Sequence, residues 1–163
     1  MRSLAACVVV GLALAAETAA APPDAGVLVP GTSLGGVRLG WTLRQVTAVW
    51  GRAYGRCRSC TSETLYFNRY AFRPEGAGVV LRRGRVAAVF TLWGPAGWST
   101  RQGVRVGDPA IRVSATYGSL PRRQCPGYAA YVLAAKGPRS AVYIVDEKVW
   151  GFALLGAGMG ICR

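Results

Sequence analysis

The stretch GVRLGWTLRQVTAVWG, residues 36–51, is echoed by GVRVGDPAIRVSATYG, residues 103–118, at an offset of 67. The two copies agree at Gly36, Val37, Arg38, Gly40, Val46, Ala48 and Gly51. In a chain this rich in Gly, Val, Ala and Arg, an unrelated window of that length should match at roughly one or two positions, so the agreement marks a duplicated unit.

Both copies encode a glycine lead-in followed by a short helix. In the first, Thr42 and Gln45 form a capping box, with Trp41 and Val46 placed as a hydrophobic staple and Gly51 as the stop. In the second, Asp108 is the expected N-cap, Pro109 the first helical residue and Gly118 the stop. Different residues thus perform one task at matching positions.

Strand signals follow each helix. TLYFNRYAF (64–72) passes through a Pro74-Glu75-Gly76 turn to GVVLRR, and Arg83-Gly84 then turns the chain into RVAAVFTLW, ending at Trp93. The second copy gives YAAYVLAA, a turn over 136–139, SAVYIV, an Asp146-Glu147-Lys148 turn and VWGFALL. One helix on a three-stranded meander has too little core to stand alone, so the two sheets should join. The expected class is α+β: two tandem α-β-β-β repeats whose strands make one antiparallel, helix-backed curved sheet. The expected boundaries are a signal peptide over 1–21, an N-terminal tail over 22–33, repeat 1 over 34–93, a linker over 94–102 and repeat 2 over 103–163.

The first segment combines basic Arg2, an apolar run from Leu4 to Ala16 and a small-residue region around Ala19-Ala20-Ala21. That pattern is a secretory signal, with cleavage after Ala20 or Ala21; the apolar run is too short to span a bilayer. LAAC at Leu4–Cys7 precedes the apolar run instead of following it, so no lipid anchor is expected. An exported chain meets oxidising conditions, and past Cys7 it holds Cys57, Cys60, Cys125 and Cys162. Of the three possible pairings, Cys57 with Cys60 and Cys125 with Cys162 is favoured because each bridge stays within one repeat. A redox role for CRSC lacks the following helix that would activate its first thiol, and a zinc site lacks a second CxxC.

The net charge is +13, and 18 of the 20 basic residues are Arg. Such a surface keeps a protein soluble or holds it to an anionic partner, but no nucleic-acid signature accompanies it, so no specific nucleic acid is expected. The chain has no His, which removes Ser-His-Asp and Cys-His chemistry and histidine metal triads. Beyond the signal the acidic residues are Asp24, Glu63, Glu75, Asp108, Asp146 and Glu147, and no pair among them is spaced to specify a catalytic cleft. No catalytic residue, metal or cofactor is expected.

With helices on one sheet face, the other is free to bind. Strand alternation places Tyr66 and Tyr70 on a common face, and Tyr131 and Tyr143 are their expected companions. The tandem pattern of G-V-x-x-G, capped helix, cysteine loop and antiparallel strands over residues 30–162 resembles the secreted beta-lactamase inhibitor proteins. The single unit also resembles the small lipoproteins of the outer-membrane barrel-assembly machinery. The first resemblance implies a concave aromatic sheet surface that grips another protein, with an acidic hairpin tip for which Glu75 is the candidate. The sequence therefore points to a secreted, non-enzymatic, inhibitor-like module recognising a protein. The alternative is an envelope-associated protein held to anionic polymer by its arginines.

Overall fold

A computed structural model describes residues 25–67, 75–133 and 137–162. Its strands are β1 (Ala25–Val29), β2 (Ser33–Leu34), β3 (Gly55–Arg56), β4 (Glu63–Phe67), β5 (Gly76–Arg82), β6 (Arg85–Leu92), β7 (Gly97–Thr100), β8 (Arg122–Cys125), β9 (Tyr128–Leu133), β10 (Arg139–Val145) and β11 (Lys148–Leu155). The helices are α1 (Leu43–Trp50) and α2 (Ile111–Tyr117).

The echoed lead-ins perform the same task twice. The Gly40 amide donates to the Val86 carbonyl at 2.8 Å, and the Val86 amide returns a bond to the Trp41 carbonyl at 2.8 Å. In the second copy Gly107 donates to Val149 at 2.7 Å and Val149 to Asp108 at 2.7 Å. Each lead-in is thereby pinned to the start of the last strand of its own repeat, β6 or β11.

The first helix starts as its sequence dictates. The Gln45 side chain accepts from the Thr42 amide at 2.9 Å while the Thr42 hydroxyl accepts from the Gln45 amide, a reciprocal capping box. The second start differs from expectation: α2 begins at Ile111, and Asp108 is not its cap. The Asp108 carboxylate accepts from the Arg105 amide at 2.8 Å, and Pro109 bridges to Lys148, which holds it outside the helix. Arg112 and Val113 instead donate to the carbonyls of Pro109 and Ala110, a tight turn that leads into α2. Both helices stop at the expected glycines, Gly51 at φ 77°, ψ −179° and Gly118 at φ 76°, ψ −159°. That backbone region is essentially reserved for glycine.

Eight strands form one antiparallel sheet in the order β3-β4-β5-β6-β11-β10-β9-β8. The repeats meet at β6 and β11, through Ala88↔Leu155, Val89↔Leu154 and Phe90↔Ala153. A shift of 63 residues superimposes their irregularities as well. β5–β6 bulges between Val80 and Leu81 and β10–β11 between Tyr143 and Ile144. The β5–β6 turn holds Arg83 and Gly84 at φ 51° and 70°, and the β10–β11 turn holds Asp146 and Glu147 at 48° and 55°, as tight hairpins require. Each unit also carries a short outer strand, β3 or β8, that the sequence does not announce.

The expected tail and linker are structural. β1 lies within the expected tail and β7 within the expected linker; they pair in parallel from Ala25↔Gly97 to Leu28↔Thr100 and form a second sheet, β2-β1-β7. The reason is apolar: Leu28, Leu34 and Trp98 are completely buried. They share one core with Val46 and Trp50 of α1, Val113 of α2 and the sheet residues Leu65, Phe67, Val79, Val89, Val142, Phe152 and Leu154. The large sheet is thus backed on one face by both helices and the small sheet. Its other face has a separate apolar cluster of Val80, Ala88, Ala130, Ala141, Tyr143, Ala153 and Leu155, covered by Met159 and Ile161.

Candidate functional site

The chain leaving β11 folds back over that second face. Gly156 donates to the Ala87 carbonyl at 2.9 Å, the Arg139 guanidinium donates to the Met159 carbonyl, and the Tyr143 hydroxyl donates to the Ile161 carbonyl at 3.0 Å. Cys162 then closes a disulfide with Cys125 of β8. Gly156–Cys162 is therefore a strap tied down at both ends. It covers the face of the second repeat and shares a buried cluster with Val80 and Ala88 of the first, whose Tyr66 and Phe90 stay part-exposed.

Beside the strap lies a cleft of about 740 Å³. Its walls are Met159, Gly160 and Cys162 on one side and the Ser59–Ser62 loop on the other, the latter closed by the Cys57–Cys60 disulfide. Its floor and rim carry Tyr66, Phe90, Trp93, Tyr128, Tyr143 and Trp150. Both disulfides pair as the sequence led us to expect, and one cysteine of each lines the cleft.

Local backbone features place these aromatics. Gly78 sits opposite both Tyr66 and Phe90. A Cβ at Gly78 would stand 2.6 Å from the Phe90 ring, so glycine here allows that ring to lie on the sheet and meet Tyr66 edge-on at 6.4 Å. Trp150 is the extra residue of the β11 bulge: Tyr143 pairs with Gly151 and Ile144 with Val149, leaving Trp150 between them. Bulges commonly re-aim a side chain beside a functional site. Trp93 holds φ at 55°, which is unusual for a bulky residue outside a hairpin turn. The two indoles meet at 6.5 Å and 72°, and Trp93 remains 63 % exposed and Trp150 37 %. Large apolar side chains are seldom left in water in contact with each other, and a contiguous exposed pair of this kind commonly marks an interaction surface.

Several residues singled out in the sequence lie elsewhere than expected. Tyr66 lines the cleft. Tyr143 also lines it, but it is buried beneath the strap instead of standing open. Tyr131 is on the opposite face: Tyr143 pairs with Ala130, so Ala130 shares its face, and Tyr131 is turned to the helix side, where Arg122 packs over its ring at 5.7 Å. Glu75 is exposed just before β5 and is not part of the cleft lining. Tyr70 lies outside the described residues. Phe90, Trp93, Tyr128 and Trp150 were not singled out. Trp93 carried the plainest signal, an aromatic residue at a strand exit before Gly94-Pro95.

With one exception, the described charged groups lie around the cleft and not within it. Arg82 is the one charged side chain among its described lining residues. Glu63 pairs with Arg56 and Glu147 with Arg122 at the two outer edges of the sheet, and these hydrogen bonds raise the pKa of both guanidinium groups above the ordinary arginine value. No group of His, Cys, Asp or Glu that could hold a metal occurs among the described residues, and no described helix is long and apolar enough to cross a membrane.

No family model and no curated protein matches the sequence. Two solved structures resemble the fold. One is an extracellular protein containing an SCP domain from Bacillus anthracis str. Ames, with a TM-score of 0.54 and 8 % identity over 73 % of this chain. This chain spans 44 % of that protein's length. The other is YjgB, a DUF4309 family protein from Bacillus subtilis, with a TM-score of 0.50 and 14 % identity over 71 % of this chain and 78 % of its own. Neither is a beta-lactamase inhibitor or a barrel-assembly lipoprotein, and at these identities what is shared is the arrangement of helices and strands.

Proposed function

We propose that the protein is an exported, non-enzymatic binding module, inhibitor-like in architecture, that recognises another protein through the aromatic cleft. The observation that carries this reading is the Trp93–Trp150 pair, exposed in water at the mouth of a cleft already furnished with Tyr66, Phe90 and Tyr128. Aromatic anchors of this kind dominate protein interfaces because they bring large apolar area at small entropic cost. The apolar run over 4–16 and the two disulfides support export.

The second reading, attachment to an anionic envelope polymer, is favoured by the net charge of +13. The two differ in what breaks them. Wild-type protein and the Trp93→Ala, Trp150→Ala variant serve as parallel baits in the producing cells' secreted fraction, and a protein held by the first alone is purified for titration. Each single Trp→Ala change is expected to weaken binding by about 2 kcal/mol, and salt should alter it little. Unchanged affinity in both Trp variants, together with steep loss on adding salt, would establish the polymer reading instead.

A further inference from the structure

The two repeats treat the same sheet face differently, and the point of divergence is sharp. A shift of 63 residues carries Val80 onto Tyr143, Gly78 onto Ala141, Phe90 onto Ala153, Ala87 onto Trp150 and Trp93 onto Gly156, in agreement with the duplicated bulges. After Gly156 the chain enters the strap. After Trp93, Gly94 at φ 67° sends it instead through Pro95 into β7 on the far side of the sheet. The outer edges diverge to match. In the second repeat, the Cys125 sulfur at the end of β8 fixes the strap through its disulfide with Cys162; in the first, Cys57, just past β3, closes on Cys60 within its own loop.

The strap runs from the Gly156–Ala87 contact across β10 to Cys125. Its equivalent path in the first repeat runs from the Trp93–Trp150 pair across Phe90 and Tyr66 to the Cys57–Cys60 loop, and that path is the cleft. Resting on the reading of this cleft as a protein-binding site, we infer that its occupant is an extended segment of the partner, laid across the first repeat as the strap lies across the second. The strap supplies the template: Met159 and Ile161 are buried against the sheet while Gly160 between them is exposed, so apolar side chains two residues apart enter the face. Charge sets the flanks. Arg82 lies in the cleft, no carboxylate is among its described lining residues, and the chain carries +13, so the segment is acidic beside its apolar pair.

The test uses synthetic octapeptides and the intact, oxidised protein, followed by the NMR signals of the indole N–H groups. One peptide has the strap's Met-Gly-Ile spacing and acidic ends, a second has the same composition with Met and Ile adjacent, and a third keeps the spacing but has lysine ends. The first is expected to shift the Trp93 and Trp150 signals and to bind at least tenfold more tightly than the other two, with Trp93→Ala abolishing that preference. Equal binding by all three, or no shift with the first at millimolar concentration, overturns the inference. If the peptides fail while the purified partner still loses affinity on Trp93→Ala, the cleft reading stands and the extended segment does not. Were the partner indifferent to Trp93→Ala, the cleft reading itself would fall.

Discussion

Replacing Trp98 by Ala is expected to lower the unfolding free energy by about 4 kcal/mol, among the largest losses a single core truncation produces. The residue lies in the stretch whose sequence reads as a linker, yet its indole is completely buried and meets Trp50 edge-on at 6.2 Å. Gly26 of β1 and Gly35 beyond β2 close around it so tightly that a Cβ on either would come within 2.7 Å of the ring. Trp98 thus joins β1, β7 and α1, and a void there would have no neighbour able to fill it. Trp98→Phe should cost much less, because the indole N–H is buried with no hydrogen-bond partner among the described residues and its removal offsets part of the lost volume. Urea denaturation of the three proteins checks this; equal losses for Ala and Phe would mean that the N–H has a partner.

The second large effect is at Cys162. Opening the Cys125–Cys162 bridge, which spans 37 residues of sequence, should cost about 4 kcal/mol by chain entropy, against about 2 kcal/mol for the three-residue Cys57–Cys60 span. The strap adds to the difference. Without its anchor, Met159 and Ile161 can leave Tyr143, Ala141 and Ala153, exposing apolar surface in the folded state. Cys162→Ser should therefore melt well below Cys57→Ser and, unlike it, bind a hydrophobic dye before unfolding. Identical melting temperatures would show that the strap stays docked without its disulfide.

What the residues revealed in advance was whatever rests on local chemistry. Thr42 with Gln45 is a self-contained capping box, Gly51 and Gly118 meet a backbone need that no other residue meets easily, and repeat-local disulfides follow from the duplication. What stayed hidden depends on partners distant in sequence. AGVLV and GWST are too short to announce strands, and the pairing that joins them lies about 70 residues apart in sequence. Asp108 has the form of a cap, but the bridge from Pro109 to Lys148 commits that stretch to the sheet. The face of Tyr131 could not be set without the register that pairs Ala130 with Tyr143. GAGMGIC alternates Gly with apolar residues, but nothing local to it shows that it folds back over the sheet, and the bulge that aims Trp150 is a property of two strands together.

Recognition through the aromatic cleft on the second sheet face is tested by hydroxyl-radical footprinting of the free protein and of its complex with the purified partner, because tryptophan oxidation reports exposure residue by residue. The expected result is strong oxidation of Trp93 and Trp150 in the free protein, loss of both on binding, and no reaction at buried Trp50 and Trp98 in either state. Oxidation of Trp93 and Trp150 that is the same with and without partner, while protection gathers at the arginine-bearing edges β3 and β8, would contradict it.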